Sequence, residues 1–189
     1  IMLPLVLFVD LNPRKNAFRA GAATGTEWDP ANIGLGSTAF GTETRASGSH
    51  STALGNSSVA SAGRSTAMGN HTTASGLEST AMGDFSIASG DQSTAMGRNT
   101  IASGRISTAM GLDNTAPSIG ETVLGIGATF YTPTLNGATQ WRAANATDRL
   151  LSVGNSIDVD NDFIVDGAER SDALVVLKNG NTGIGSSTP

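Results

Sequence analysis

The sequence lacks cysteine and contains few charged or aromatic side chains. With no Cys among 189 residues, a disulfide framework and a Cys-ligated zinc site are both excluded. Aromatic residues make up 5% and charged residues 14% of the chain, which is too few large side chains for an ordinary core and too little charge for a disordered acidic tail. The net charge of -5 argues against a nucleic-acid partner, which favours a basic face.

Small residues dominate what is present. Gly, Ala, Ser and Thr supply 92 of the 189 residues, a composition that disfavours long helices. Gly does not recur at every third position, so a collagen helix is excluded. The apolar opening, residues 1–9, is about half the length of a membrane span. It predicts a first strand, or a junction to preceding chain, rather than a signal peptide or membrane insertion.

A 14-residue repeat is the strongest signal in the chain. The motif Ser-Thr-Ala-Met-Gly, with Phe or Leu replacing Met in two copies, begins at Ser37, Ser51, Ser65, Ser79, Ser93 and Ser107. A less similar copy, Glu-Thr-Val-Leu-Gly, occupies residues 121–125 in the same register. A second motif, Ala-Ser-Gly, begins nine residues into each unit and weakens in two of them.

Each unit has the length of one coil of a β-solenoid. Fourteen residues accommodate two short strands and two tight turns, and stacking the coils aligns equivalent positions into columns. Strand alternation places Thr and Met on one face and Ser, Ala and Gly on the other. We expect the Met face to be the interior, with a core ladder formed by Phe40, Leu54, Met68, Met82, Met96, Met110 and Leu124. The glycines of both motifs are expected at turns with positive φ.

Charged residues within 37–118 all fall between the motifs, which predicts solvated turns. They are Glu43, Arg45, Arg64, Glu78, Asp84, Asp91, Arg98, Arg105 and Asp113. Six coils would span roughly 29 Å. One coil buries little apolar surface, whereas ordering its backbone costs about 1–2 kcal/mol of conformational entropy per residue. A single chain is therefore not expected to be stable alone, and we expect it to form a homotrimer.

These repeats resemble the head repeats of trimeric autotransporter adhesins of the YadA-like, Hep/Hag type, over about residues 34–125. The resemblance implies an all-β fold: a left-handed parallel β-roll that trimerises side by side. Here Thr and Met replace the family's usual Val and Ile. The stretch 170–185 is similar to bacterial fibre-like proteins in which such a segment commonly precedes a self-cleaving endosialidase-type chaperone.

Three regions follow from these patterns. We predict an N-terminal β or capping segment at 1–33, the β-roll at 34–125 and a C-terminal β module at 126–189. Trp28 and Trp141 are the only tryptophans and bracket the repeats in similar contexts. Because solenoid ends need caps, we expect these two side chains to cover them.

An acidic run in the C-terminal module has calcium-loop spacing. Its acids fall at loop positions 1, 3, 5, 9 and 12, but Phe163 occupies position 6, where such loops need Gly. The candidate ligands are Asp158, Asp160, Asp162, Asp166 and Glu169. The alternative is a solvated hairpin that binds no cofactor. His50 and His71 lie between the motifs without a paired nucleophile or carboxylate, and are expected at the surface.

The function predicted from these observations is a non-enzymatic, adhesive subunit of an extracellular or cell-surface trimeric fibre, whose surface or matrix ligand stays open. One alternative is a tail-fibre or spike component of a phage or contractile injection particle, on the surface of the virion or particle. A second is an ice-binding solenoid, which needs Thr to face outward. Trimers could also polymerise head to tail through residues 1–8.

Overall fold

The computed structural model describes residues 8–140, 145–160 and 165–189. Within these ranges the chain forms eighteen strands in two sheets, and a short 3-10 helix spans Pro30–Asn32. Among the described residues no helix has the length and apolar character needed to cross a bilayer.

The longer sheet contains twelve strands, and its central strands carry the first motif. These are β3 (Thr38–Thr42), β5 (Thr52–Asn56), β7 (Thr66–Asn70), β9 (Thr80–Asp84), β11 (Thr94–Arg98), β13 (Thr108–Leu112) and β15 (Thr122–Ile126). They pair in parallel, so that Thr66 lies beside Thr80 and Met68 beside Met82. Each strand therefore aligns with its counterpart 14 residues later.

The shorter sheet contains six two-residue strands from the second part of each unit. These are β4 (Arg45–Ala46), β6 (Val59–Ala60), β8 (Thr73–Ala74), β10 (Ile87–Ala88), β12 (Ile101–Ala102) and β14 (Thr115–Ala116). They also pair in parallel and in sequence order. The predicted all-β parallel solenoid, with two strands and two turns per coil, is confirmed.

Alanine, not methionine, fills the interior between the two sheets. The Ala of both motifs is fully buried, forming one continuous cluster from Ala39 to Ala116 that ends on Val123 and Ala128. The expected core ladder is wrong for the single chain, since Phe40 is 57% exposed and the other six members are only half-buried. The interior of the coil is filled mainly by Ala, Ser and Thr side chains, so the larger side chain of each alternating pair points outward.

Both glycine sets lie in close contact with the next coil, but their backbone conformations differ. Gly41, Gly69 and their equivalents in the six intact copies have φ between 110° and 128°, as expected for the first motif, but they lie within strands and not at turns. Gly76 and its equivalents do not have positive φ, so that expectation is wrong for the second motif. They are needed because a Cβ at Gly76 would lie 2.0 Å from the carbonyl oxygen of Gly90. The left-handed turn positions hold other residues, including Glu43 and His71.

The longer sheet continues into both flanking regions. Before the repeats, β1 (Phe8–Asn12) pairs antiparallel with β2 (Ala17–Ala22), and β2 stacks in parallel on β3. After them, β16 (Arg149–Asn155) stacks in parallel on β15. The antiparallel strands β17 (Asp172–Leu177) and β18 (Thr182–Ile184) complete the sheet. Backbone pairing thus crosses both predicted boundaries, at 33/34 and 125/126, and the three-region division stays a prediction.

Candidate interaction surface

Two columns of side chains form the outward face of the repeat strands. The threonine column comprises Thr38, Thr52, Thr66, Thr80, Thr94, Thr108 and Thr122. The methionine column comprises Phe40, Leu54, Met68, Met82, Met96, Met110 and Leu124. All are exposed or half-buried, and neither column contains a charged residue. We call these columns together the outward face.

A glycine column and a polar edge border the methionine column. The first-motif glycines align in register, from Gly41 beside Gly55 onward, and leave a strip without side chains. Beyond it, Asn56 donates to Asn70 Oδ1 at 2.8 Å, and Asn70 donates to Asp84 Oδ1 at 2.7 Å. Like residues one coil apart thus satisfy one another along the edge. The outward face is therefore an apolar strip with a polar margin.

Most of the charged residues lie at turns, as predicted, but Arg45, Asp84 and Arg98 lie at the ends of strands. Arg64 pairs with Glu78 across one coil, and the side chains of both are well exposed. His50 and His71 are exposed as expected, and the His71 ring stacks on Phe85 with a centroid distance of 4.8 Å. Asp113 is instead buried, because its Oδ2 accepts a hydrogen bond at 3.2 Å from the Val165 N–H of the C-terminal module.

A buried arginine closes the N-terminal end of the interior. Arg19 lies beside Ala39 in register, so its side chain enters the alanine interior where the shorter sheet has no further strand. Its guanidinium donates to the carbonyl oxygens of Ser37 and Ala46, both at 3.0 Å, and to Ser37 Oγ at 2.7 Å. Burial lowers the Arg19 pKa. Sequence reasoning missed this cap, although one Arg on the otherwise small side of an alternating strand is a signal for it.

The two predicted tryptophan caps have different outcomes. Trp28 is half-buried, and its Nε1 donates to the Thr44 carbonyl oxygen at 3.0 Å, which attaches the N-terminal segment to the first coil. Trp141 lies outside the described residues. Coverage of the solenoid ends by these tryptophans stays a prediction, while Arg19 is the side chain that the structure buries at the N-terminal end.

A buried polar cluster connects the last coil to the C-terminal module. Glu121 occupies the position of the first-motif Ser and is 1% exposed. Its Oε2 accepts hydrogen bonds from the Ser118 N–H and from Tyr131 Oη, both at 3.0 Å. Burial raises the Glu121 pKa to about 7. Arg149 stacks on Tyr131 and pairs with Asp172 at 3.5 Å, so the cluster also contains a buried ion pair.

The acidic run brings together only part of the predicted calcium set. Carboxylate oxygens of Asp158, Asp160 and Glu169 lie within 4.8 Å of one another. Asp166 accepts a hydrogen bond from the Ala168 N–H at 2.8 Å, and Asp162 lies outside the described residues. Glu169 accepts hydrogen bonds from two backbone N–H groups. Three carboxylates could ligate a hard cation, so calcium binding stays a prediction.

A comparison with known families identifies the repeats. The family model for the YadA head domain repeat, which spans two copies, matches five overlapping stretches: 33–58, 46–72, 60–86, 74–100 and 88–114. None of the curated proteins matches the chain. The resemblance of the C-terminal stretch to chaperone-bearing fibre proteins stays a prediction. The repeat period, the solenoid and the family match agree, and residues 33–114 are YadA head domain repeats, as in trimeric autotransporter adhesins.

Proposed function

We propose that this chain is a structural subunit of an extracellular, homotrimeric adhesive fibre. The observation that carries the proposal is the outward face, an uncharged strip on every coil of a solenoid whose interior is filled mainly by alanine. YadA head repeats are adhesin repeats, which supports a surface-exposed, non-enzymatic role.

The interior alone offers each coil little hydrophobic stabilisation. Ala contributes a methyl group per strand, whereas fully burying a Met, Leu or Phe side chain contributes about 1.5–3 kcal/mol. In the single chain these larger side chains remain partly in water. Three copies meeting at their outward faces would bury the methionine columns against one another. The trimer thus supplies the core that one chain lacks.

The turns would then remain on the outside of the rod. Charged and aromatic residues such as Arg64, Glu78, Phe85 and Arg105 project from successive coils about 4.8 Å apart. A stiff rod with varied turn residues presents many positions for attachment to a surface. The turns are therefore the place to seek the adhesive ligand.

The mass of the purified protein in solution tests the trimer. We expect three times the chain mass of 19.1 kDa by light scattering. Met96→Asp places a charge in the methionine column and should convert the protein to monomers. Phe85→Asp is the matched control, because Phe85 is 50% exposed on a turn and a trimer would leave it there. A monomeric wild-type protein, or a Met96→Asp variant that stays trimeric, would contradict the proposal.

The outward threonine column favours a second candidate, an ice-binding solenoid. The expectation that Thr faces the interior is wrong, so regular Thr spacing on an exposed strip is present in the single chain. A trimer would cover this strip, whereas ice binding needs it free. Thermal hysteresis by the wild-type protein, lost in Thr80→Val, would favour the second candidate, and none at millimolar protein would exclude it. The tail-fibre alternative shares the trimeric rod and stays a prediction.

A further inference from the structure

The outward face does not end with the repeats. The strand pairing extends both columns into the flanking regions. Each column continues, in register, through one residue of each of the strands β1, β2, β16, β17 and β18. The first extension comprises Leu11, Phe18, Leu151, Val176 and Thr182. The second comprises Val9, Ala20, Val153, Leu174 and Ile184.

Burial alternates in the flanks as it does in the repeats. Arg19, Ser152 and Val175 occupy the inward positions between the columns and are buried. The outward positions on either side are exposed or half-buried apart from Ala20, with Val9 at 67% and Ile184 at 85% exposed. Five flanking strands from two unrelated segments therefore share one orientation with the seven repeat strands.

The flanking part of the face is more apolar than the repeat part. Where the repeats have Thr, four flanking strands have Phe18, Leu11, Leu151 and Val176, and only the last strand returns to Thr, at Thr182. The described members of both columns include no charged side chain across all twelve strands. An exposed apolar strip of this length marks an interaction surface.

We propose that the two flanking segments belong to the same interface as the repeats, so that three copies of this chain contact one another along all twelve strands. The inference rests on the proposed trimer and extends it to regions outside the matched repeats. The repeat strands span about 29 Å, whereas twelve strands span about 53 Å at the same spacing. The flanks thus nearly double the contact length.

The binding partner that fits the outward face is a second copy of this chain. A partner must be uncharged along the whole strip and must match columns spaced at the strand repeat. An identical chain in the same register meets both conditions, because every position then faces its own equivalent around a three-fold axis. The glycine column continues in register through Gly21 at the N-terminal end, where Gly21 and Gly41 line an apolar groove beside Val9 and Phe40.

Single cysteines test the inference without background, because the chain has none of its own. Four variants are compared: Met96→Cys in the repeats, Val9→Cys and Leu174→Cys in the flanks, and Leu135→Cys as control. Leu135 is 89% exposed outside the strands of either sheet. Each protein, at micromolar concentration, is treated with a short bismaleimide and run on a denaturing gel. Two cysteines held in the same complex react at an effective concentration of order mM, whereas cysteines on separate chains react at the micromolar protein concentration. We therefore expect covalent dimers to form roughly 100-fold faster at an interface position than at Leu135.

The outcomes separate the inference from the trimer on which it rests. Fast linking at Val9 and Leu174, matching that at Met96, supports an interface along the whole sheet. Fast linking at Met96 with control-level linking at either flank overturns the inference for that flank and leaves the repeat trimer intact. Control-level linking at all three positions overturns the trimer itself. Val9 is exposed in the single chain, so its replacement leaves the fold intact, and circular dichroism checks each variant.

Discussion

The buried carboxyl of Glu121 makes stability depend on pH in a calculable way. Its pKa is about 7 in the folded chain, because burial disfavours the charged form, against 4.5 ordinarily. Because the pKa is raised on folding, the contribution of this carboxyl group to the free energy of unfolding is fully present below about pH 4.5. That contribution is lost as the pH rises to about 7. At 1.36 kcal/mol per pKa unit, the loss amounts to about 3 kcal/mol.

The variant Glu121→Gln removes the titrating proton while leaving an oxygen to accept from Ser118 and Tyr131. We expect the free energy of unfolding of the wild-type protein, relative to that of the variant, to fall by about 3 kcal/mol between pH 4.5 and pH 8. Urea unfolding at four pH values and one fixed protein concentration measures this difference. Any constant cost of the introduced amide cancels, since only the change with pH is compared.

The matched control is Glu78→Gln. Glu78 is solvent-exposed, and its hydrogen bonds with Arg64 and Gln92 hold its pKa below the usual range, so this variant should follow the wild-type protein above pH 5. If the difference in unfolding free energy between the wild-type protein and Glu121→Gln stays constant from pH 4.5 to pH 8, the argument that burial dominates at this carboxyl is refuted.

Four further outcomes are expected. Ala81→Leu overfills the narrow interior and should lower the free energy of unfolding by about 1–3 kcal/mol or more, whereas Met82→Leu in the outward face should change it by less than about 1.5 kcal/mol, both measured by urea unfolding. Ile106 has φ +59° at an exposed turn, so Ile106→Gly should raise the melting temperature by relieving about 1–2 kcal/mol of backbone strain, and an unchanged temperature would contradict this. Arg19→Met removes three hydrogen bonds to the first coil and should increase amide exchange in β2 and β3 while leaving β11 protected. Calcium should raise the melting temperature if the acidic run binds it, with Asp160→Ala abolishing the effect, and identical melting with calcium or chelator would exclude the site.

The sequence by itself determined the period, the strand register and the architecture. Identical residues recur every 14 positions, and such columns are stable only when equivalent positions stack, so Thr66 and Thr80 had to be neighbours in space. The charges between the motifs likewise identified several turns, such as those at Arg64 and Glu78. These features follow from local pattern, because turn and strand preferences act over a few residues.

Only the tertiary structure decided which side of each strand is the interior. The alternation places Ala and Met on opposite faces of each strand, but it does not say which face points inward. We expected Met82 in the core because Met is more hydrophobic than Ala, without considering that its side chain is also larger. The narrow interior decides, because the inward column that contains Ala81 holds Ala in the six intact copies and Val only in the last coil. The roles of Arg19 and Glu121 were hidden for a related reason. Each charged group is buried by a segment distant in sequence, and burial of that kind depends on how the ends of the solenoid are closed.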